Sequence, residues 1–239
     1  MNLKNQRVVI IGGTAGVGLA VAKLAIEEGA SVLVASGTQQ RVELAVKQLG
    51  TEAEGRVLNV LQEERVDEFF RAADEFDHLV YTAGDAVAIG EAGTLSLKEA
   101  KARFDVRYWG AYLAVKFGQR KIRKEGSIVL SSGIASQRPM KGWSLGASVT
   151  GAMESFTRAM AIDLAPTRVN LVSPGVVRTE LWDFLSEPER NGFYRQVGES
   201  LPVGRVGEPS DVAEAYIYLM KNRFSTGSIV VTDGGGVLV

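Results

Sequence analysis

An alternation of two kinds of apolar segment does most to constrain how this chain can fold. Short runs rich in β-branched residues lie at 7–11, 31–35, 56–60, 78–82, 127–131, 168–172 and 228–232. They are uninterrupted rather than alternating with polar residues, the pattern of parallel strands covered on both faces. Between them lie segments with helical spacing. Val17, Ala20, Val21 and Leu24 fall at i, i+3, i+4 and i+7, as do Val149, Ala152, Met153 and Phe156. Each set marks a stripe able to cover one face of a sheet. Strand alternating with helix predicts an α/β fold: a seven-stranded parallel sheet, doubly wound, with helices on both faces.

The chain's 239 residues suit one domain, and 46% of them are hydrophobic, enough for a sizeable core. Nothing resembling a linker divides it, so 1–239 reads as a single domain. One excursion, residues 180–208, is longer than a simple crossover and rich in aromatics, as lids and binding loops are. Trp182, Phe184, Phe193 and Tyr194 within it suit either a substrate lid or the packing of the excursion itself.

Charge and composition exclude several functions. Lys and Arg number 27 against 28 Asp and Glu, a net charge of −1, so no basic surface clamps nucleic acid. There is no Cys and a single His, which removes disulfides and thiol catalysis and leaves metal sites without their usual ligands. The polar start MNLKNQR has no signal-peptide core, and no apolar run reaches membrane-spanning length. A soluble, cytoplasmic protein is the expectation.

The first strand runs into Ile11-Gly12-Gly13-Thr14-Ala15-Gly16-Val17-Gly18 and then a helix. Glycines there let the backbone approach a pyrophosphate, while the helix N-terminus offers free N–H groups and a positive dipole end. The spacing of Gly12, Gly16 and Gly18 is G-x-x-x-G-x-G. With it go Tyr81-Thr82-Ala83-Gly84, Phe104-Asp105-Val106-Arg107, Ser131-Ser132, Pro174-Gly175-Val176-Val177-Arg178-Thr179, Gly204-Arg205-Val206-Gly207-Glu208-Pro209 and Thr232-Asp233-Gly234-Gly235. In order and spacing these resemble the short-chain dehydrogenase/reductase superfamily over nearly the whole chain. Ile11 replaces that family's Thr.

The resemblance implies a Rossmann-type domain binding a nicotinamide dinucleotide. The implied contacts are Gly12, Thr14, Gly16, Val17 and Gly18 in the glycine loop, and Ser36, Gly37, Thr38 and Arg41 after the second strand. Asn59 and Val60 end the third, Ala83 and Gly84 follow the fourth, and Pro174, Gly175, Val177 and Thr179 the sixth. An acid after the second strand would favour NAD by binding the ribose hydroxyls and repelling a 2′-phosphate. The segment Ser36-Gly37-Thr38-Gln39-Gln40-Arg41 has no acid, and its hydroxyls and Arg suit a phosphate, which favours NADP(H). The plainer alternative makes Ser36 and Thr38 turn and cap residues and Arg41 a solvated charge.

In the family, a Tyr gives the proton for carbonyl reduction, and a Lys four residues later lowers its pKa and holds the nicotinamide ribose. A Ser after the fifth strand orients the substrate oxygen, and an Asn anchors a proton relay. Aligned on Gly-Ala-Met-Glu at 151–154, this chain has Gly146 at the Tyr position and Thr150 at the Lys position. No Tyr occurs between Tyr112 and Tyr194 and no Lys between Lys141 and Lys221. Arg107 stands at the Asn position. The serine remains as Ser132, with Gly133 its neighbour. Tyr112 and Lys116 do match Y-x-x-x-K, but before the fifth strand, where they read as ordinary helix surface and core.

The implied activity is therefore that of an atypical oxidoreductase acting on a carbonyl or alcohol, with Ser132 and Arg107 as catalytic candidates. Arg107 could place positive charge where an alkoxide develops; alternatively it forms a structural ion pair with Asp85, and Ser132 is a buried turn hydroxyl. Tyr81, Tyr108, Lys141 and Ser144 are the candidate proton donors. His78 opens the fourth strand at the end away from the cofactor crevice and reads as structural or surface. A non-catalytic NADP(H) sensor, or an inactive subunit of a mixed assembly, are the other readings. The family forms dimers and tetramers through its long helices and last strand, so a homo-oligomer is implied.

Overall fold

The computed structural model describes residues 2–84, 90 and 93–239. Asp85, and with it the ion pair considered for Arg107, lies outside them. The strands are β1 (Arg7–Ile11), β2 (Ser31–Ser36), β3 (Ala53–Val57), β4 (Phe76–Tyr81), β5 (Ile122–Ser131), β6 (Arg168–Pro174) and β7 (Ile229–Thr232). They form one seven-stranded sheet in the order β3-β2-β1-β4-β5-β6-β7. Every pairing is parallel. The order reverses between β1 and β4, which opens a crevice above the carboxyl ends of the strands.

The helices are α1 (Gly16–Glu27), α2 (Gln39–Leu49), α3 (Glu63–Ala72), α4 (Leu97–Ala102), α5 (Ala111–Gly118), α6 (Ser144–Asp163), α7 (Glu187–Ser200) and α8 (Pro209–Lys221). Strand residues alternate between two cores because successive side chains leave opposite faces of a sheet. Val8, Ile10, Val80 and Val129 pack with Val21 of α1 and Tyr216 of α8. Val9, Ile11, Leu79, Ile128 and Leu130 pack with Phe70 of α3, Val115 of α5 and Met153 of α6. A third, smaller cluster joins Trp182, Tyr194 and Val206 with Trp143 and Phe193, and it gives the 180–208 excursion its own packing.

Two details of the sequence reading shift. The third strand lies at Ala53–Val57, not 56–60; Leu58 and Val60 are buried but run past the last β2 partner, Ser36 opposite Val57. An edge strand pairs on one side only, so its apolar run need not coincide with its ladder. In α1 the fully buried positions are Gly18, Val21, Ala22 and Ala25, while Val17, Ala20 and Leu24 are half-buried. Small residues face the sheet there because the helix runs close to the strands. Among the described residues no helix is long and apolar enough to cross a membrane.

Candidate functional site

A groove of about 560 Å³ runs across the carboxyl ends of the strands. Its middle is the glycine loop after β1. Gly12 sits at φ +88°, and a Cβ there would lie 2.5 Å from the backbone N of Ala83. At Gly18 a Cβ would lie 2.2 Å from the Gly12 carbonyl oxygen. The loop is thus pressed against the end of β4 and the start of α1, closer than any side chain allows. Ala15 begins α1 without a side-chain cap, and the first turn holds no acid. The helix presents unsatisfied N–H groups and its positive dipole end to the groove, which is the donor set a diphosphate requires.

Toward β3, the groove is lined by Ser36 at the end of β2, by Gly37 and Arg41 after it, and by Asn59 and Val60 beyond β3. Arg41 comes from the first turn of α2. Nothing lies within 4 Å of a Cβ at Gly37. Thr38 is exposed at the start of α2, makes no side-chain cap and does not line the groove. Toward β6, the wall is Ala83, Gly84, Pro174 and Thr179, with Val106, Arg107, Ser131, Ser132 and Tyr216. Thr14, Gly16 and Val17 complete the loop side. Val177 is buried and bridges to Gly207 instead, and Gly175 faces the neighbouring chamber.

That chamber holds about 660 Å³ and adjoins the groove, with Arg107, Ser132, Pro174 and Leu181 lining both. Its apolar walls include Trp143, Val149, Val176, Trp182, Phe193 and Val197. Of the excursion's aromatics, Trp182 and Phe193 line it. Tyr194 is buried under the Arg178 guanidinium, 4.5 Å from its ring, and Phe184 is exposed. Gly146 and Thr150 also line the chamber. The Thr150 hydroxyl donates to the Gly146 carbonyl (2.9 Å), back into its own helix.

Arg107 lies on a π-helical segment, Asp105–Gly110, an unusual geometry that often marks functional sites. The Tyr81 hydroxyl supports it by donating to the Val106 carbonyl at 2.5 Å. Gly110 makes room: a Cβ there would meet the Tyr81 Oη at 2.3 Å. At Gly84 a Cβ would meet Nη2 of Arg107 at 2.5 Å, so the guanidinium lies directly on that glycine.

The paired serines point opposite ways, as neighbours on a strand must. The Ser132 hydroxyl donates to the Thr150 carbonyl of α6 at 2.9 Å, so what it offers a ligand is lone pairs rather than its proton. Ser131 faces α8, where its Oγ lies 2.5 Å from the Tyr216 hydroxyl. Tyr216 was invisible as a site residue in the sequence, because its position in an apolar helical stretch signals only core. Burial pushes its hydroxyl up to about 12, partly offset by Ser131 and by the Arg107 charge.

The four proton-donor candidates line neither space. Tyr81 is buried beneath the π-helical segment, and Tyr108 packs on Phe104, Trp109 and Phe156. Lys141 and Ser144 are exposed. His78 is buried within β4, bonded to Ser127 (2.8 Å) and Gln6 (3.0 Å). Burial lowers it to about 4, which keeps it neutral, and it lies at the far end of the sheet. Lys116 pairs with Glu63 at 2.5 Å on the surface, and Tyr112 is exposed.

The family described as enoyl-(acyl carrier protein) reductase matches residues 12–236. The short-chain dehydrogenase/reductase ATR9 of Stachybotrys chlorohalonatus is 37% identical, over 99% of this chain and 98% of its own. Among solved structures, the MalC reductase/Diels-Alderase of Malbranchea aurantiaca superposes with a TM-score of 0.91 at 30% identity, covering 99% of this chain and 98% of its own. A small-chain dehydrogenase solved in complex with NADPH gives 0.84 at 32% identity, covering 99% of this chain and 100% of its own. The chain belongs to the short-chain dehydrogenase/reductase family, and the seven-stranded parallel sheet is that family's fold.

Proposed function

We propose that this protein is an NADP(H)-dependent oxidoreductase that acts on a carbonyl or alcohol small molecule through a rearranged catalytic site. The observation that carries this reading is the continuity of the groove. It begins at a basic, acid-free pocket of Ser36, Gly37 and Arg41 and crosses the glycine cradle. It ends against an apolar chamber at Arg107 and Ser132. The relative solved with NADPH and the family membership support the cofactor.

Arg41 would meet the 2′-phosphate, the amides of the glycine loop and α1 the diphosphate, and Pro174 and Thr179 the far end. When bound, the dinucleotide supplies the hydride chemistry. The chain supplies the environment for the oxygen of the substrate. Arg107 keeps a positive charge where groove and chamber meet, so an oxyanion forming there is stabilised. With its proton given to the Thr150 carbonyl, Ser132 can accept a hydrogen bond from the O–H of an alcohol, while the carbonyl oxygen is left to Arg107. Gly146 and Thr150 replace the family's Tyr and Lys with groups that bring neither an acidic proton nor a charge. The proton then has to arrive by another route, a loss typically worth about 10²- to 10⁴-fold in rate. Trp143, Trp182 and Phe193 exclude water and favour an apolar, ring-bearing substrate. The whole of 1–239 acts as one domain, with 180–208 as its lid. Self-association to a homodimer or homotetramer belongs to the same reading; exposed Trp109, just before α5, and Tyr112 in its first turn lie edge to face (6.2 Å).

Titration of NADPH and NADH, followed by nicotinamide fluorescence, tests the cofactor. Micromolar or tighter binding with a preference for NADPH is expected, and binding of neither overturns the reading. A panel of ketones, aldehydes and quinones with NADPH tests the activity. Turnover should fall by about 10²-fold in Arg107→Gln, the size seen when one oxyanion donor is removed. Cofactor that binds but is never oxidised across the panel would make the protein a sensor instead.

A further inference from the structure

We propose that Tyr216 is a cofactor-positioning residue, its hydroxyl accepting a hydrogen bond from the nicotinamide-riboside half of the dinucleotide. The proposal rests on the reading of the groove as a dinucleotide site and goes beyond it, because α8 belongs to no motif of that site.

Val129 packs toward α1 and α8, so Ser131, two residues on, faces the same way. Tyr216 is 1% exposed and packed among apolar side chains, where a hydroxyl requires a partner. It reaches Ser131 at 2.5 Å, and the Ser131 proton is already committed to the Tyr81 carbonyl at 2.6 Å. Tyr216 is therefore the donor of the pair. Its own lone pairs remain, and both residues line the groove.

The strand order says which half of a ligand meets them. Ser36 and Arg41 belong to the β2 end and the glycine loop to β1, while Ser131 ends β5, on the other side of the loop. A dinucleotide whose 2′-phosphate lies at Arg41 and whose diphosphate lies at the loop extends its nicotinamide riboside over β4 and β5. That half carries amide N–H and ribose O–H donors, and an acceptor on the groove floor complements them. The hydroxyl stays protonated at any working pH, since burial holds it at about 12. With Thr150 at the position where the family holds the ribose by Lys, such a contact has a role to fill.

The test compares two ligands on the full chain: NADPH, by nicotinamide fluorescence, and 2′,5′-ADP, which lacks the nicotinamide half, by calorimetry. Tyr216→Phe should weaken NADPH about tenfold, the size of one buried hydrogen bond, and leave 2′,5′-ADP unchanged. Ser131→Ala, which releases the tyrosine, should move NADPH in the same direction by less. NADPH binding unchanged in Tyr216→Phe overturns the proposal. Equal weakening of both ligands also overturns it, since that marks a packing role. Wild-type protein that binds neither ligand overturns the dinucleotide reading together with the proposal. Binding of both ligands by the wild type with no selective loss in the variant overturns the proposal alone.

Discussion

The two halves of the groove are built from different materials. The half over β1, β2 and β3 is made largely of backbone: a glycine loop, the open N-terminus of α1 and the turn after β2. The half over β5 and β6 is made of side chains: Arg107, Ser131, Ser132 and Tyr216, with Gly146 and Thr150 in the chamber beyond. A backbone cradle tolerates almost no change, because Gly12 and Gly18 occupy volume that no Cβ can enter. A side-chain site can exchange one group for another while the fold stays intact. The contrast fits the proposed reading, in which the phosphate loop stays while the groups around the chamber change.

The largest expected effect comes from breaking the backbone half. Gly18→Val drives a branched side chain into the Gly12 carbonyl and the Thr82 hydroxyl, so NADPH binding should vanish in fluorescence titration. Overpacking of this kind also destabilises by about 1–3 kcal/mol, visible as a lower melting temperature. Retained binding would mean that the loop is not the phosphate site.

A smaller effect sharpens the comparison within that half. Arg41→Ala should weaken NADPH about tenfold or more, as loss of a charge-assisted hydrogen bond does, and leave NADH unchanged. Equal losses for both nucleotides would place Arg41 outside the 2′-phosphate contact. The smallest effect falls outside the groove. Tyr112→Phe and Lys116→Met should leave binding, turnover and the melting temperature unchanged, because the Lys116–Glu63 pair is exposed. Loss of turnover there would return Y-x-x-x-K to the active site.

Much of the arrangement was legible before any coordinates. The alternating runs yielded seven parallel strands because burial on both faces leaves continuous apolar stretches. The glycine loop could be read because tight backbone approach admits one residue type. Ser36, Gly37, Arg41, Asn59 and Val60 line the groove, although β3 itself begins and ends earlier than its apolar run. Thr38 and Val177 fell outside, since one residue of rotation along a turn or a strand end reverses where a side chain points. Of the two roles open to His78, structural or surface, the structure shows the structural one, with Gln6 and Ser127 satisfying both ring nitrogens.

By itself the amino-acid sequence determined the sheet, the cradle and the absence of Tyr and Lys at 146 and 150, because periodicity, glycine spacing and residue identity are local properties. Only the tertiary structure decided that the Ser132 proton goes to α6, that Tyr81 and Gly110 prop a π-helical segment carrying Arg107 onto Gly84, and that Tyr216 reaches the groove from α8. Those contacts join residues far apart in the chain, and their geometry follows from strand register and helix packing, which no short stretch of sequence encodes.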